Sequence, residues 1–276
     1  MIQGIKTVIT MLADLWRSRA LIVRLSINDF KTRYAASIMG VFWAFVQPVI
    51  TVLVYWFVFE KGLRAGRQAM GGVEVPFVLF LISGLVPWFY FSDAWPNGTG
   101  SLISYSYLVK KVVFKISILP IVKVLASIYV HIFFVFVTLI IFWAYGYAPD
   151  LYSLQIFYYS FAMFIFVLGL SYITASVVGF FRDLSEIINI LLQILVWVTP
   201  IMWNIETTLG DGALKTILKL NPMYYIVNGY RNALVNKHWF WETPKQMIYF
   251  WVVALATLGL GMLVFKRLKK HFADVL

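Results

Sequence analysis

The chain has 276 residues, 62% of them hydrophobic and 13% charged, where a soluble domain holds roughly 45–50% and about 25%. Its 23 Lys and Arg outnumber 12 Asp and Glu for a net charge of +11, and it has no cysteine. An ordinary soluble domain is excluded, as are disulfides, thiolate catalysis and a cysteine-based zinc site; the basic excess, with no DNA- or RNA-reading motif beside it, points to anionic headgroups and not to nucleic acid.

The first element is a helix over residues 2–16. Ile2, Ile5, Val8, Ile9, Leu12, Leu15 and Trp16 recur at helical spacing, with Gln3, Lys6, Thr7, Thr10 and Asp14 largely opposite. Such a helix lies in the membrane interface or packs as an ordinary amphipathic helix on its own protein. No cleavable signal peptide is visible.

Six apolar spans follow, at 38–59, 76–95, 118–145, 154–181, 187–203 and 246–265, each near the roughly 20 residues that cross a bilayer. The fifth is short and carries Pro200 near its end, a break tolerated where protein or a cavity surrounds the backbone. Span 1 repeats Trp43, Gln47, Thr51 and Tyr55 in i, i+4 steps, and span 5 repeats Asn189, Gln193 and Trp197. Polar groups inside spans turn from lipid, toward a lumen or toward a helix they bridge. His131, in mid-span 3, reads as a hydrogen-bonded packing residue, the alternative being a proton relay. Trp88, Trp95, Trp239 and Trp241 sit near span ends, where aromatic belts form.

Two connections break the pattern. Residues 97–115 are polar, long enough for one helix, and basic at the end. Residues 204–245 are too long for a bare connection and read as two short helices, near 212–220 and 224–235, separated by a turn at Asn221-Pro222 and dipping back toward the membrane.

Fifteen of the 23 basic residues fall on one side of this arrangement: Lys6, Arg17, Arg19, Arg24, Lys31 and Arg33; Lys110, Lys111, Lys115 and Lys123; Arg182; and Lys266, Arg267, Lys269 and Lys270. The positive-inside rule then makes both termini cytoplasmic, against the weaker pull of Lys61, Arg64 and Arg67.

The chain has no G-x-x-x-x-G-K-[ST] loop to cradle ATP phosphates, no H-E-x-x-H and no G-x-S-x-G. Its three histidines are too scattered for a metal cluster. Asp93, Asp183 and Glu186 lie at span ends, so no span carries the acidic residues of a proton path. A transporter built this way needs an ATPase on another chain. An integral membrane glycosyl- or acyltransferase, the competing class, would need an acidic or histidine cluster at a membrane face.

Three blocks carry a family resemblance. They are Lys31-Thr-Arg-Tyr-Ala-Ala-Ser-Ile-Met-Gly-Val-Phe-Trp-Ala-Phe-Val-Gln-Pro48, Tyr105-Ser-Tyr-Leu-Val-Lys-Lys-Val-Val-Phe-Lys-Ile-Ser-Ile-Leu-Pro120, and Asn221-Pro-Met-Tyr-Tyr-Ile-Val-Asn-Gly-Tyr-Arg-Asn-Ala-Leu234. Across essentially its whole length the chain resembles the membrane subunit of type-2 ABC exporters of cell-envelope polysaccharides. The second block, with residues 185–203, looks most like the wall teichoic acid export permeases of Gram-positive bacteria; O-antigen or capsule export is the alternative within the family, and an exporter of drugs or small lipids shares the six-span plan.

The resemblance implies an all-α integral membrane protein with six transmembrane helices per protomer, an N-terminal amphipathic interfacial helix and short re-entrant helices before span 6. It implies one transmembrane domain over residues 1–276, comprising a cytoplasmic segment 1–34, spans 1–5 over 38–203, an extracytoplasmic segment 204–245, span 6 at 246–265 and a cytoplasmic tail 266–276. It further implies a homodimer with two copies of a separate ATP-binding subunit, in the bacterial cytoplasmic membrane, moving a glycan on undecaprenyl diphosphate. ATP and Mg would sit on the partner, leaving this chain with no cofactor and no catalytic residue of its own. Spans 1 and 5 would line the channel, making Trp43, Gln47, Thr51, Tyr55, Asn189, Gln193 and Trp197 lining candidates. Their types suit a glycan channel, since rings pack sugar C–H faces, Tyr and Trp also donate hydrogen bonds, and weak repeated contacts let a polymer slide.

Arg24, Lys31 and Arg33, where the first helical segment meets span 1, are candidates to meet the lipid diphosphate, plain positive-inside anchoring being the alternative. Tyr105, Tyr107, Leu108, Lys110, Lys111, Arg182, Asp183 and Glu186 are candidates for coupling to the ATPase, with anchors of the kind enriched at interfaces; the alternative is a lipid-facing amphipathic loop.

Overall fold

The computed structural model describes residues 2–35, 38–70, 72–110 and 114–275, and helices dominate them. Two arms come first, α1 (Ile2–Arg17) and α2 (Arg19–Arg33). Span 1 is α3 (Trp43–Trp56), extended by wider turns over Phe57–Gly62. A small antiparallel hairpin, β1 (Gln68–Met70) and β2 (Val73–Val75), pairs Gln68 with Val75. Span 2 is α4 (Phe77–Thr99), followed by the single turns α5 (Ser101–Ser104) and α6 (Ser106–Val109). Spans 3, 4 and 5 are α7 (Leu119–Ala144), α8 (Gln155–Val178) and α9 (Leu184–Val198). After α10 (Ile205–Thr208), α11 (Ala213–Lys219) and α12 (Pro222–Arg231), span 6 is α13 (Pro244–Leu268), and α14 (Phe272–Val275) closes the chain.

Five stretches are long and apolar enough to cross a bilayer, and Leu184–Val198 is a sixth, shorter apolar helix. These are the six expected spans. The fifth is short for a local reason: Thr199, which precedes Pro200, is extended (φ −76°, ψ 126°), as the proline ring requires of its predecessor.

The two irregular connections differ in outcome. The outer one forms the two helices expected around the Asn221-Pro222 turn. Asn221 caps α12 by accepting from the Met223 N–H, and Pro222 takes the first helical position, where its missing donor costs nothing. The single helix expected over 97–115 is instead three pieces. The span-2 helix runs on to Thr99, Gly100 ends it, and serines at 101, 104 and 106 fall where short turns compete with a continuous helix. The hairpin after span 1 was not expected.

The core is a bundle of α4, α7, α8 and α13, with α12 wedged against α4 and α8. The closest crossing is α8 on α13: a Cβ on Gly169 would stand 2.6 Å from the Leu258 nitrogen, and one on Gly261 2.7 Å from the Gly169 carbonyl oxygen. Small residues let membrane helices approach to backbone contact. Span 1 is the opposite case. Only 6% of its most apolar window is buried, against 78% for span 2, so it stands at the edge of the bundle.

The arm α1 combines both of its sequence readings. Met11 and Leu15 are buried on the bundle side, where α1 meets α13, while Ile9, Leu12 and Trp16 are exposed. An ion pair from Lys115 to Asp14 (3.0 Å) and ring contacts of Phe272 with Phe180 and Phe265 gather the arms, the 101–118 and 179–183 connections and the C-terminal turns at one end. The other end holds the hairpin, the 204–243 segment and the Lys237–Asp150 pair (2.7 Å).

Candidate functional site

The main concavity is a cavity of about 610 Å³ between α3, α4 and α7, within the range of small-molecule sites. The i, i+4 stripe of span 1 forms one wall, with Trp43, Gln47, Thr51 and Tyr55 all lining it. Facing them are Trp88, Tyr90, Ser92 and Asp93 of α4 and Ser127, Val130 and His131 of α7. Pro48, inside α3, also lines the wall. The lining thus combines aliphatic side chains with rings, hydroxyls and one amide, and Asp93 is its one charged side chain among the described residues.

Span 5 contributes Val196 to this cavity. Asn189, Gln193 and Trp197 are exposed on the far side of α9, which buries Ile188 and Leu192 instead. The two stripes therefore do not meet within the single chain. One lines a cavity, and the other is a polar strip on an open apolar helix.

At the gathered end, the cavity reaches Tyr34 and Asp93. Arg33 donates to Asp93 (3.0 Å) and to Asp29 (3.4 Å), and Asn97 donates to Asp93 (2.9 Å). Burial opposes the charge of Arg33, but Asp93 and Asp29 outweigh it and raise its pKa. Burial, then the Asp93 carboxylate, raises the Tyr34 phenol above its ordinary value. Of the three candidates for the lipid diphosphate, Arg33 is thus held by two carboxylates. Arg24 and Lys31 are exposed and make no ion pair among the described residues.

The coupling candidates separate in the same way. Tyr107 (59% exposed) and Lys110 point outward, as do Arg182, Asp183 and Glu186. Leu108 packs partly on the core. Tyr105 turns inward and donates to Asp29 at 2.8 Å; burial and that carboxylate raise its phenol pKa. Lys111 lies outside the described residues.

At the opposite end the third block shows its physical content. Asn221, besides capping α12, donates to Thr199 Oγ1 (2.8 Å), fixing the turn that ends span 5. A Cβ on Gly229 would fall in the Tyr159 ring. Tyr230 bonds Ser160 (2.6 Å) and His131 (2.9 Å), so the expected packing histidine is held between α8 and α12 while its ring forms part of the cavity wall. Arg231 is 6% exposed; it donates to the Ile201 carbonyl (2.9 Å) and stacks 3.7 Å above Phe80. Asn204 ties the same region to the hairpin through the Ala69 carbonyl (2.8 Å).

Asp29, Asp93, Ser160 and Arg231 were not picked out as sites from the sequence. An aspartate within an otherwise basic arm was the available signal for Asp29. Among the described residues no group of three or more His, Cys, Asp or Glu could hold a metal ion.

Comparison with known proteins adds a family match and full-length relatives. The ABC-2 type transporter family matches residues 20–235. An O-antigen export system permease protein RfbA of Klebsiella pneumoniae is 29% identical over 265 residues, covering 93% of this chain and 95% of that protein. One from Myxococcus xanthus is 27% identical, covering 96% and 99%. The polysialic acid transport protein KpsM of Escherichia coli is 22% identical, covering 88% and 91%.

Proposed function

Because the chain belongs to the ABC-2 type transporter family, we propose that it is the permease subunit of an ATP-driven polysaccharide exporter, working as a homodimer with a separate ATP-binding subunit. The cargo is a lipid-linked glycan, and O-antigen or capsule type is favoured over the wall teichoic acid that residues 105–120 and 185–203 suggested. The relatives above are named for O-antigen and polysialic acid, and none of them for teichoic acid.

The observation that carries this reading is the cavity wall. Trp43, Gln47, Thr51 and Tyr55 face Trp88, Tyr90 and Ser92 across one space, an amphipathic lining that suits sugar faces and rims. The single carboxylate, Asp93, is offset by Arg33. Such a wall holds no fixed net charge to trap a passing polymer. In this reading the strip Asn189, Gln193 and Trp197 faces the second protomer, so that two half-linings complete the path. The gathered, basic end is cytoplasmic. Arg24 and Lys31 are the cations free to meet the diphosphate there, and Arg182, Asp183 and Glu186 belong to the same ATPase-facing surface.

The test is transport in proteoliposomes that hold this chain and its ATP-binding subunit, supplied with undecaprenyl-diphosphate glycans of O-antigen or teichoic acid type. ATP-dependent passage of the O-antigen type is expected. Passage of teichoic acid alone would reverse the cargo assignment, and passage of neither would remove the exporter reading.

The same complex locates the ATPase contact. Tyr107→Asp with Lys110→Glu alters two outward side chains and leaves the inward Tyr105 and Leu108 untouched. Loss of the ATP-binding subunit on co-purification, with the permease yield intact, is expected; an unchanged complex would place the contact elsewhere.

A further inference from the structure

Asp29 is the most heavily bonded group at the gathered end. Its side chain is 6% exposed, on the face of α2 that packs against α7. Three elements send donors to it: Lys123 of α7 (2.7 Å), Arg33 of α2 itself (3.4 Å), and Tyr105 from the junction of α5 and α6 (2.8 Å). Lys123 also sits 5.1 Å from the Tyr105 ring centre. Arg33 continues to Asp93, on the cavity wall beside Tyr34. One connected set of bonds therefore runs from the 101–110 segment to the cavity mouth.

The members of this set are not equal. Asp29, Asp93, Arg33 and Lys123 balance to zero formal charge. Drawing out either Lys123 or Arg33 would leave two carboxylates to share one cation around the buried Asp29, the costly way to break such a cluster. Tyr105 is neutral. Its bond to Asp29 can open and leave every charge paired. Tyr105 also lies on the segment whose neighbours Tyr107 and Lys110 face outward. A pull on that segment thus breaks the Tyr105–Asp29 bond first.

We propose that the Tyr105–Asp29 bond is a breakable seam that links the ATPase-facing segment to the cytoplasmic mouth of the cavity. While closed, it holds α5 against α2. When a partner draws the segment away, Asp29 is left to Lys123 and Arg33, and α2 is free to shift at the mouth formed by Tyr34 and Asp93. Tyr105 and Asp29 are positioning residues here; neither touches cargo. This rests on the transporter reading, and the test is arranged so that the two can fail separately.

The chain has no cysteine, so Asn28→Cys with Ser104→Cys places spin labels only on the exposed face of α2 and on α5. Their separation is measured by electron-spin dipolar spectroscopy, in lipid nanodiscs, with and without the ATP-binding subunit and ATP. With labelled permease diluted in unlabelled permease so that each complex carries one labelled copy, the parent is expected to give one narrow within-protomer distance without nucleotide and a shifted one with ATP. Tyr105→Phe, which removes one hydroxyl, is expected to keep complex yield but broaden the nucleotide-free distance toward the ATP-bound one, and to lower glycan moved per ATP hydrolysed about tenfold, the equivalent of roughly 1.4 kcal/mol.

Asp29→Leu with Lys123→Met keeps the cluster neutral without an acceptor, and should behave like Tyr105→Phe. Asp29→Asn with Lys123→Met keeps an acceptor oxygen for Tyr105 and should restore the parent's narrow distance, which loss of packing alone would not predict. If Tyr105→Phe or Asp29→Leu/Lys123→Met gives the parent's distance and coupling ratio, the seam is overturned. The distances need no cargo. A complex that moves no glycan therefore counts against the transport reading, while the nucleotide-free comparison still decides the seam.

Discussion

Exchanging Arg231 for lysine is expected to destabilise the folded protein by about 3 kcal/mol, and exchanging it for methionine by only about 1 kcal/mol, the reverse of what conservation of charge suggests. The guanidinium is 6% exposed, stacked on Phe80 and bonded to the Ile201 carbonyl, with no carboxylate ion pair among the described residues. Desolvation pulls its pKa down. What offsets that burial is shape: a plane that lies flat on a ring and still donates in its own plane. It also sits where α12 continues into wider turns over Asn232–Asn236, beside the turn that ends α9.

An ammonium cannot reproduce the stack, so lysine would keep the buried charge and lose much of its compensation. Methionine keeps apolar volume and removes the charge; it leaves mainly the Ile201 carbonyl unpaired. The lysine variant carries a further signature. Its buried ammonium titrates below the ordinary lysine value of about 10.4. Between those two pKa values the unfolded chain binds more protons than the folded one, so stability rises with pH. Thermal melting in detergent at pH 7 and pH 9.5 should show Arg231→Lys regaining stability relative to Arg231→Met at the higher pH. A lysine variant as stable as the methionine one at pH 7, or a gap independent of pH, would contradict this account.

Arg231 also shows where reading the sequence succeeds and where it stops. The six spans were legible because a bilayer demands about 20 apolar residues in a row, and the turn at Asn221-Pro222 because a cap residue before proline leaves few other conformations. The stripe Trp43, Gln47, Thr51, Tyr55 was legible as one helical face, and it lines one cavity. The partners of these elements were not legible. Arg33 and Asp93 are 60 residues apart, Tyr105 and Asp29 are 76 apart, and Tyr230 and His131 are 99 apart. Nothing local marks such pairs, because their meeting depends on how α2, α4, α7 and α12 pack. The two errors of local structure have local causes instead. Residues 97–115 had the length of a helix, but serines and Gly100 broke it. The hairpin at 68–75 was masked by the charged residues beside it.

The stripe leads to the second large effect. Trp43→Ala with Tyr55→Ala is expected to slow glycan export at least tenfold while leaving the folded permease and its complex with the ATP-binding subunit intact; each aromatic contact is worth about 0.5–1.5 kcal/mol beyond burial, and roughly 1.4 kcal/mol corresponds to a factor of ten in rate. Export is the affected quantity because Trp43 is 46% exposed and Tyr55 only borders the core from the edge span, so their removal leaves the α4–α7–α8–α13 core in place. Leu53→Ala and Phe57→Ala are the matched control. Both are exposed apolar residues of the same span, 54% and 62% respectively, and neither lines the cavity. They should leave export within about twofold of the parent, since lipid solvates an alanine face as readily as the larger one. Equal slowing in both pairs would mean that span 1 acts through packing in the assembled transporter. Slowing in the control pair alone would move the path to the other face of the helix. With loss confined to the Trp43 and Tyr55 pair, the exposed strip of α9 becomes the next wall to probe, by Gln193→Ala with Trp197→Ala in the same assay.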